Sequence, residues 1–151
     1  MNRFAKVVSI SAALATLLAG CALGQIGAVM HPTVAGRLDL RRADGSQSEW
    51  TPDRCASGDW NYFLGFDFSS AQDQSLLRAI SEPAGDIVVR WTSPQGVRMF
   101  RAPDCSQLAL DVRPTGWRVN EVREFAGHLE LQCQAADGVR IAGTLTIDHC
   151  H

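Results

Sequence analysis

The residues best able to do chemistry gather at the end of the chain, where His149, Cys150 and His151 follow one another. On an extended strand residues i and i+2 point to one face, so the two imidazoles could chelate one transition metal, with His128 on a neighbouring strand near enough to assist. Three features weaken that reading: the pair sits at the chain end, Cys150 is expected to be oxidised, and no carboxylate can be assigned to orient the rings. The expectation is a terminus held down by a disulfide, its imidazole tips in water, with no metal and no cofactor. Elsewhere the 151 residues contain no Gly-x-Ser-x-Gly elbow, no Gly-rich phosphate loop, no His-Glu-x-x-His and no calcium-loop pattern. Asp111, Glu121, Glu124 and Glu130 read as exposed strand positions, and their spacing sets up no acid–base pair. An enzyme is not expected.

The first twenty residues differ in composition from the rest. Arg3 and Lys6 make a short positive region, residues 7–18 are apolar except for Ser9, Ser11 and Thr16, and small residues follow. An apolar run of about 12 residues falls short of the roughly 20 needed to span hydrocarbon, so residues 1–20 read as a secretory signal rather than a transmembrane helix. Across its end, Leu18-Ala19-Gly20-Cys21 resembles the lipobox of bacterial lipoproteins, a likeness confined to the first 21 residues. The resemblance implies cleavage before Cys21, a diacylglycerol thioether on its sulfur and acylation of its new amine. Two or three acyl chains, at about 0.8 kcal/mol per buried CH₂, would hold the protein on a bilayer. Ala22 in place of Asp implies transfer to the outer membrane under the better-known Gram-negative sorting rule. The rest of residues 21–33, with Gly24, Gly27 and Pro32 and no periodicity, reads as a tether that can reach roughly 40 Å. Residues 34–151 then form a single domain.

Loss of residues 1–20 removes two of the fourteen basic residues and none of the sixteen acidic ones, leaving a formal charge of −4. Nucleic acid and anionic lipid are poor partners for such a chain. Lys6 is its only lysine, a bias that fits codon usage better than a dedicated arginine site. Setting Cys21 aside leaves Cys55, Cys105, Cys133 and Cys150, an even number in an exported chain, so two disulfides are expected. Their spacings of 50, 28 and 17 residues include no Cys-x-x-Cys pair, which argues against a zinc ribbon or a thioredoxin-like site. A regular terminal hairpin would put Cys133 beside its turn and Cys150 more than about 20 Å away. Each is therefore expected to pair with Cys55 or Cys105.

Short alternating runs between turn signals predict a mainly β domain, an antiparallel two-layer sandwich or small barrel of eight or nine strands. Asp44-Gly45, Pro94-Gln95-Gly96 and Asp137-Gly138 mark hairpins. Trp60, Tyr62, Leu64, Phe66 and Phe68 fall at period two and predict one central strand. Residues 71–81 are the exception: Leu76, Leu77 and Ile80 at helical spacing, with Ser69 and Ser70 as caps and Pro83 beyond, slightly favour one short helix. Trp60, Phe66 and Trp91 are expected in the core. Trp50, close to Pro52, is expected to be the exposed tryptophan.

The resulting picture is a non-enzymatic envelope lipoprotein that docks on or stabilises another envelope component. The alternative is a periplasmic or surface binding module, or an inhibitor, that takes a small ligand or an attacking enzyme. A large concave pocket lined by Trp and Arg would favour the alternative, and a flat apolar edge or patch the first.

Overall fold

Alternation of apolar and polar side chains resolves into ten strands in the structure, a computed structural model that describes residues 33–151. The signal, the lipobox and the tether up to residue 32 lie outside the described residues. The strands are β1 (Thr33–Arg41), β2 (Gln47–Trp50), β3 (Arg54–Ser57), β4 (Leu64–Ser69), β5 (Leu76–Ser81), β6 (Ile87–Ser93), β7 (Gly96–Phe100), β8 (Cys105–Val119), β9 (Val122–Gln134) and β10 (Arg140–Cys150). They form two antiparallel sheets of five, ordered β2-β1-β10-β9-β8 and β3-β4-β5-β6-β7. The second sheet is a meander in chain order. The first seats β1 against β10, with Thr33 opposite Asp148 and Arg41 opposite Arg140.

Every second residue of the inner strands enters the space between the sheets, as the pleat requires. The first sheet contributes Leu38, Leu129, Leu131, Ile141, Leu145 and Ile147, and the second Phe66, Phe68, Leu77, Val89, Trp91 and Phe100. Each such side chain stabilises the fold by about 1.5–3 kcal/mol relative to its exposed state. Phe66 and Trp91 therefore lie in the core, as their spacing predicts, whereas the side chain of Trp60 lies outside the described residues.

Three turns share one design. In 42–46, 82–86 and 135–139 the first N–H donates to the fifth carbonyl, while a glycine at the fourth position donates back to the first carbonyl. Gly45, Gly85 and Gly138 all have positive φ, the conformation such a turn demands of its fourth residue. Asp44 and Asp137 complete their turns by accepting the N–H two residues on, from Ser46 at 2.8 Å and Val139 at 3.2 Å.

Two stretches depart from the expected pattern. No helix forms over 71–81; Leu76–Ser81 is β5, the middle strand of the second sheet, with Leu77 and Ala79 facing the core. Over so few residues helical and alternating periods nearly coincide, and the ladders waiting on β4 and β6 decide between them. Gly65 helps, because at φ 152° it lets the Ala79 carbonyl approach where a Cβ would collide. The run from Trp60 to Phe68 is also broken. A 3₁₀ turn at Gly58–Asn61 and a left-handed Tyr62 precede β4, so Phe66 and Phe68 are buried but Tyr62 and Leu64 are exposed. The Phe63 N–H closes this turn on the Gly58 carbonyl at 3.0 Å. β4 is next to the edge strand, and β5 holds the centre.

Both disulfides obey the reach argument. Cys55–Cys150 joins β3 of one sheet to β10 of the other, and Cys105–Cys133 joins the neighbouring strands β8 and β9.

Candidate functional site

At the end of the sandwich farthest from Thr33, turns 42–46, 93–96 and 135–139 and the segment 71–75 ring a cleft of about 460 Å³. At its floor lie two nearly buried tryptophans. Trp50 comes from β2 of the first sheet and Trp91 from β6 of the second, and their rings meet edge to face with centroids 4.9 Å apart. Trp50 is 3% exposed, against the expectation of an exposed ring. It pairs with Leu38 across β1 and β2, and cross-strand partners share a face, so it must point inward with Leu38. Its Nε1 donates to Asp73 Oδ1 at 3.3 Å, and the same oxygen accepts the Ser75 N–H at 2.7 Å. The indole thereby ties the 71–75 segment to the cleft wall.

The rim is charged. Arg98 on β7 donates from Nε to Asp137 Oδ2 at 2.8 Å, which joins the two sheets at the cleft mouth. The Val139 N–H and the Arg98 guanidinium hold the Asp137 carboxyl below the usual aspartate range. Asp44 is lowered in the same direction by the hydroxyl and N–H of Ser46. Arg42 and Arg98 face four carboxylates, Asp44, Glu49, Asp73 and Asp137, so the lining carries a net charge of −2. An apolar wall under an anionic rim suits a cation or an uncharged polar molecule better than an anion. The lining includes Ser48, Ser75 and Ser93 but no His or Cys.

The opposite end holds the residues that the sequence singled out for metal binding. β10 carries a bulge between Ile147 and Cys150, with His149 at φ 54°, and this breaks the alternation that would align His149 with His151. His149 Nδ1 lies 3.1 Å from Glu124 Oε1, its Nε2 is 3.8 Å from Asp148 Oδ2, and His151 Nδ1 turns to the His149 carbonyl at 3.1 Å. His128 stands opposite Thr146 and Asp111 on the flanking strands. Among the described residues no group of three or more His, Cys, Asp and Glu is placed to hold a metal. The terminus is half-buried and bonded instead of ending in water.

Glu124 is the departure that matters most here. It is 3% exposed, whereas its position on β9 reads as exposed. Thr115 Oγ1 donates to its Oε1 at 2.6 Å alongside His149. Burial pushes the carboxyl up, but the Thr115 and His149 bonds and the charges of both histidines outweigh it and hold the group below the usual glutamate range. Asp111 and Glu121 are exposed as expected, Asp111 beside Arg113 at 2.7 Å, and Glu130 is half-buried. Trp50 was in principle legible, because Ser48-Glu49-Trp50 continues an alternation after the Asp44-Gly45 turn. Glu124 carried no such signal.

Comparison with protein-family models, with curated proteins and with solved structures gives no match to this chain.

Proposed function

We propose that this chain is a non-enzymatic, lipid-anchored envelope protein that captures a small cationic or uncharged polar ligand in the cleft walled by Trp50 and Trp91. The observation that carries the reading is that cleft: concave, aromatic inside, rimmed by Arg42, Arg98 and four carboxylates. A cleft with Trp and Arg in its lining supports a binding module over a docking role. The anchor is Cys21, acylated within Leu18-Ala19-Gly20-Cys21, and Ala22 directs the protein to the outer membrane.

The two indoles make the test direct. Titration of the purified full chain with spermidine and with N-acetylglucosamine should give a saturable change in tryptophan emission with at least one of them. Asp44→Asn and Glu49→Gln should weaken a cation several-fold and leave an uncharged ligand nearly unaffected. Silence with both probes, or preferential binding of citrate, would count against the reading. The anchor is tested separately: Cys21→Ala should leave an unprocessed or soluble form, and a variant that still partitions into detergent at mature size would refute lipidation.

A second reading has its own support. β7 is an edge strand on which Val97 and Met99 are each 50% exposed, a strip to which another envelope protein could add a strand. Crosslinking in intact cells distinguishes this docking role. Because Lys6 is the only lysine, the crosslinker must target carboxylates.

A further inference from the structure

The exposed large apolar side chains are not scattered. Of the six among the described residues, Val97 and Met99 lie on β7, while Tyr62, Leu64, Trp117 and Val119 lie toward the end where the chain enters at Thr33. Thr33 faces Asp148, and the flanking Ile147 faces Gly127 on β9, so the β8–β9 hairpin runs about 13 Å past Thr33 to its turn at Asn120-Glu121, at 3.3 Å per residue. Trp117, 65% exposed, and Val119 stand on this projecting arm. Tyr62 shares a depression with Val122, Glu121 and Asp59 beside the arm. Two hydrogen bonds fix the arm to the second sheet, Arg123 N–H to Asp59 Oδ2 in the 3₁₀ turn at 2.9 Å and Ser57 Oγ at the end of β3 to the Arg123 carbonyl at 3.3 Å.

Tyr62 is presented at a cost. It is 98% exposed and held at φ 60°, a left-handed conformation that a bulky residue rarely adopts. Among the described residues the ring stands almost entirely in solvent. Tyrosine and tryptophan partition to the headgroup level of a bilayer, where an apolar body and a polar tip are both satisfied. Asp59 and Glu121 beside Tyr62 are matched in number by the exposed Arg118 and Arg123 on the arm, so this end presents no net charge and suits zwitterionic headgroups.

We infer that this end of the sandwich rests on the headgroup layer of a zwitterionic membrane through Tyr62, Leu64, Trp117 and Val119, and so holds the cleft outward. The inference rests on the lipid-anchor reading, which places an acylated Cys21 twelve residues before Thr33. A segment of that length reaches up to roughly 40 Å, ample to let the arm touch the surface. Since β1 rises about 26 Å from Thr33 to Arg41, the cleft stands well clear of the lipid.

The test uses the acylated full chain in vesicles of phosphatidylethanolamine and phosphatidylcholine brominated near the headgroup. Sedimentation with the vesicles is measured first, and failure to sediment overturns the anchor and the inference together. For protein that sediments, measured in a Trp60→Phe background because Trp60 belongs to the 3₁₀ turn at this same end, bromine should quench part of the tryptophan emission, and Trp117→Phe should remove most of that quenching while the cleft tryptophans stay unquenched. A sedimenting protein whose emission is unquenched, or quenched equally in Trp117→Phe, overturns the inference and leaves the anchor standing. The same unquenched result is expected if a protein partner, absent from these vesicles, covers this end instead.

Discussion

Trp50 and Trp91 belong to different sheets, yet their rings meet at 85° with centroids 4.9 Å apart. The contact closes the core at one end and at the same time forms the inner wall of the cleft. Stability and the proposed capture of a ligand therefore share one pair of side chains. Any ligand that enters meets only the edges of nearly buried indoles already fixed by Asp73 and by the opposite sheet, so little side-chain entropy remains to be lost on capture.

Replacement of Trp50 separates its roles. Trp50→Phe keeps most of the apolar wall but removes the donor to Asp73, and should cost about 1–2 kcal/mol, near the usual value of one part-buried hydrogen bond plus a small cavity. Trp50→Ala should cost about 3–5 kcal/mol. Urea unfolding measures both, and an alanine variant within about 0.5 kcal/mol of the parent would mean that the ring lies at the surface after all.

The two disulfides should differ in worth. Cys55–Cys150 closes a span of 95 residues and Cys105–Cys133 one of 28. Loop-closure entropy assigns them about 4.7 and about 3.6 kcal/mol. Removing the first as a Cys→Ala pair also frees the chain end that carries His149. Urea midpoints of the two double variants should rank accordingly, and the reverse order would show that unfolded-state entropy does not govern the difference.

How much of this was legible depends on range along the chain. Leu129, Leu131 and Cys133 against Ile141, Leu145 and Ile147, with Asp137-Gly138 between them, specify β9, β10 and their register locally. The same logic identifies the β1–β2 and β6–β7 hairpins. It fails at Leu76–Ser81, where six residues cannot separate two periods and only the neighbouring strands choose. It fails again at Glu124, whose burial requires the irregular pairing of β8 between Pro114 and Arg118 and the bulge in β10, both set by pairing across the sheet. The cleft had no local signal, because four separate segments meet there only once the sheets have stacked.

Stoichiometric metal binding by the terminus is not expected. His149 and His151 turn their Nδ1 atoms to Glu124 and to a backbone carbonyl, so no shared ligand set is built. Calorimetric titration of the oxidised protein with Zn(II) should show no one-to-one site of micromolar affinity, and finding one would reverse this conclusion. The His149→Ala/His151→Ala variant should lose about 1 kcal/mol, more than a terminus with its rings in water would, because a nearly buried carboxylate loses a partner.

Glu124 should make stability fall in acid. Its folded carboxyl lies below the usual glutamate range, so the folded state binds this proton less readily than the unfolded chain does. Stability from this group is then fully present above the ordinary glutamate value of about 4.5 and is lost as pH drops through the lower folded value. Asp44 and Asp137 are lowered as well and act in the same direction. The parent alone therefore cannot isolate Glu124, but a difference measurement can. Glu124→Gln keeps the shape and one acceptor for Thr115 and His149 but removes the charge, and should cost about 1–3 kcal/mol at neutral pH. Urea midpoints of parent and variant, followed from neutral pH down to about pH 3, should converge as the parent's carboxylate is protonated. A gap that stays constant across that range would mean that Glu124 contributes packing alone, and that its bonds to Thr115 and His149 do not favour the charged form.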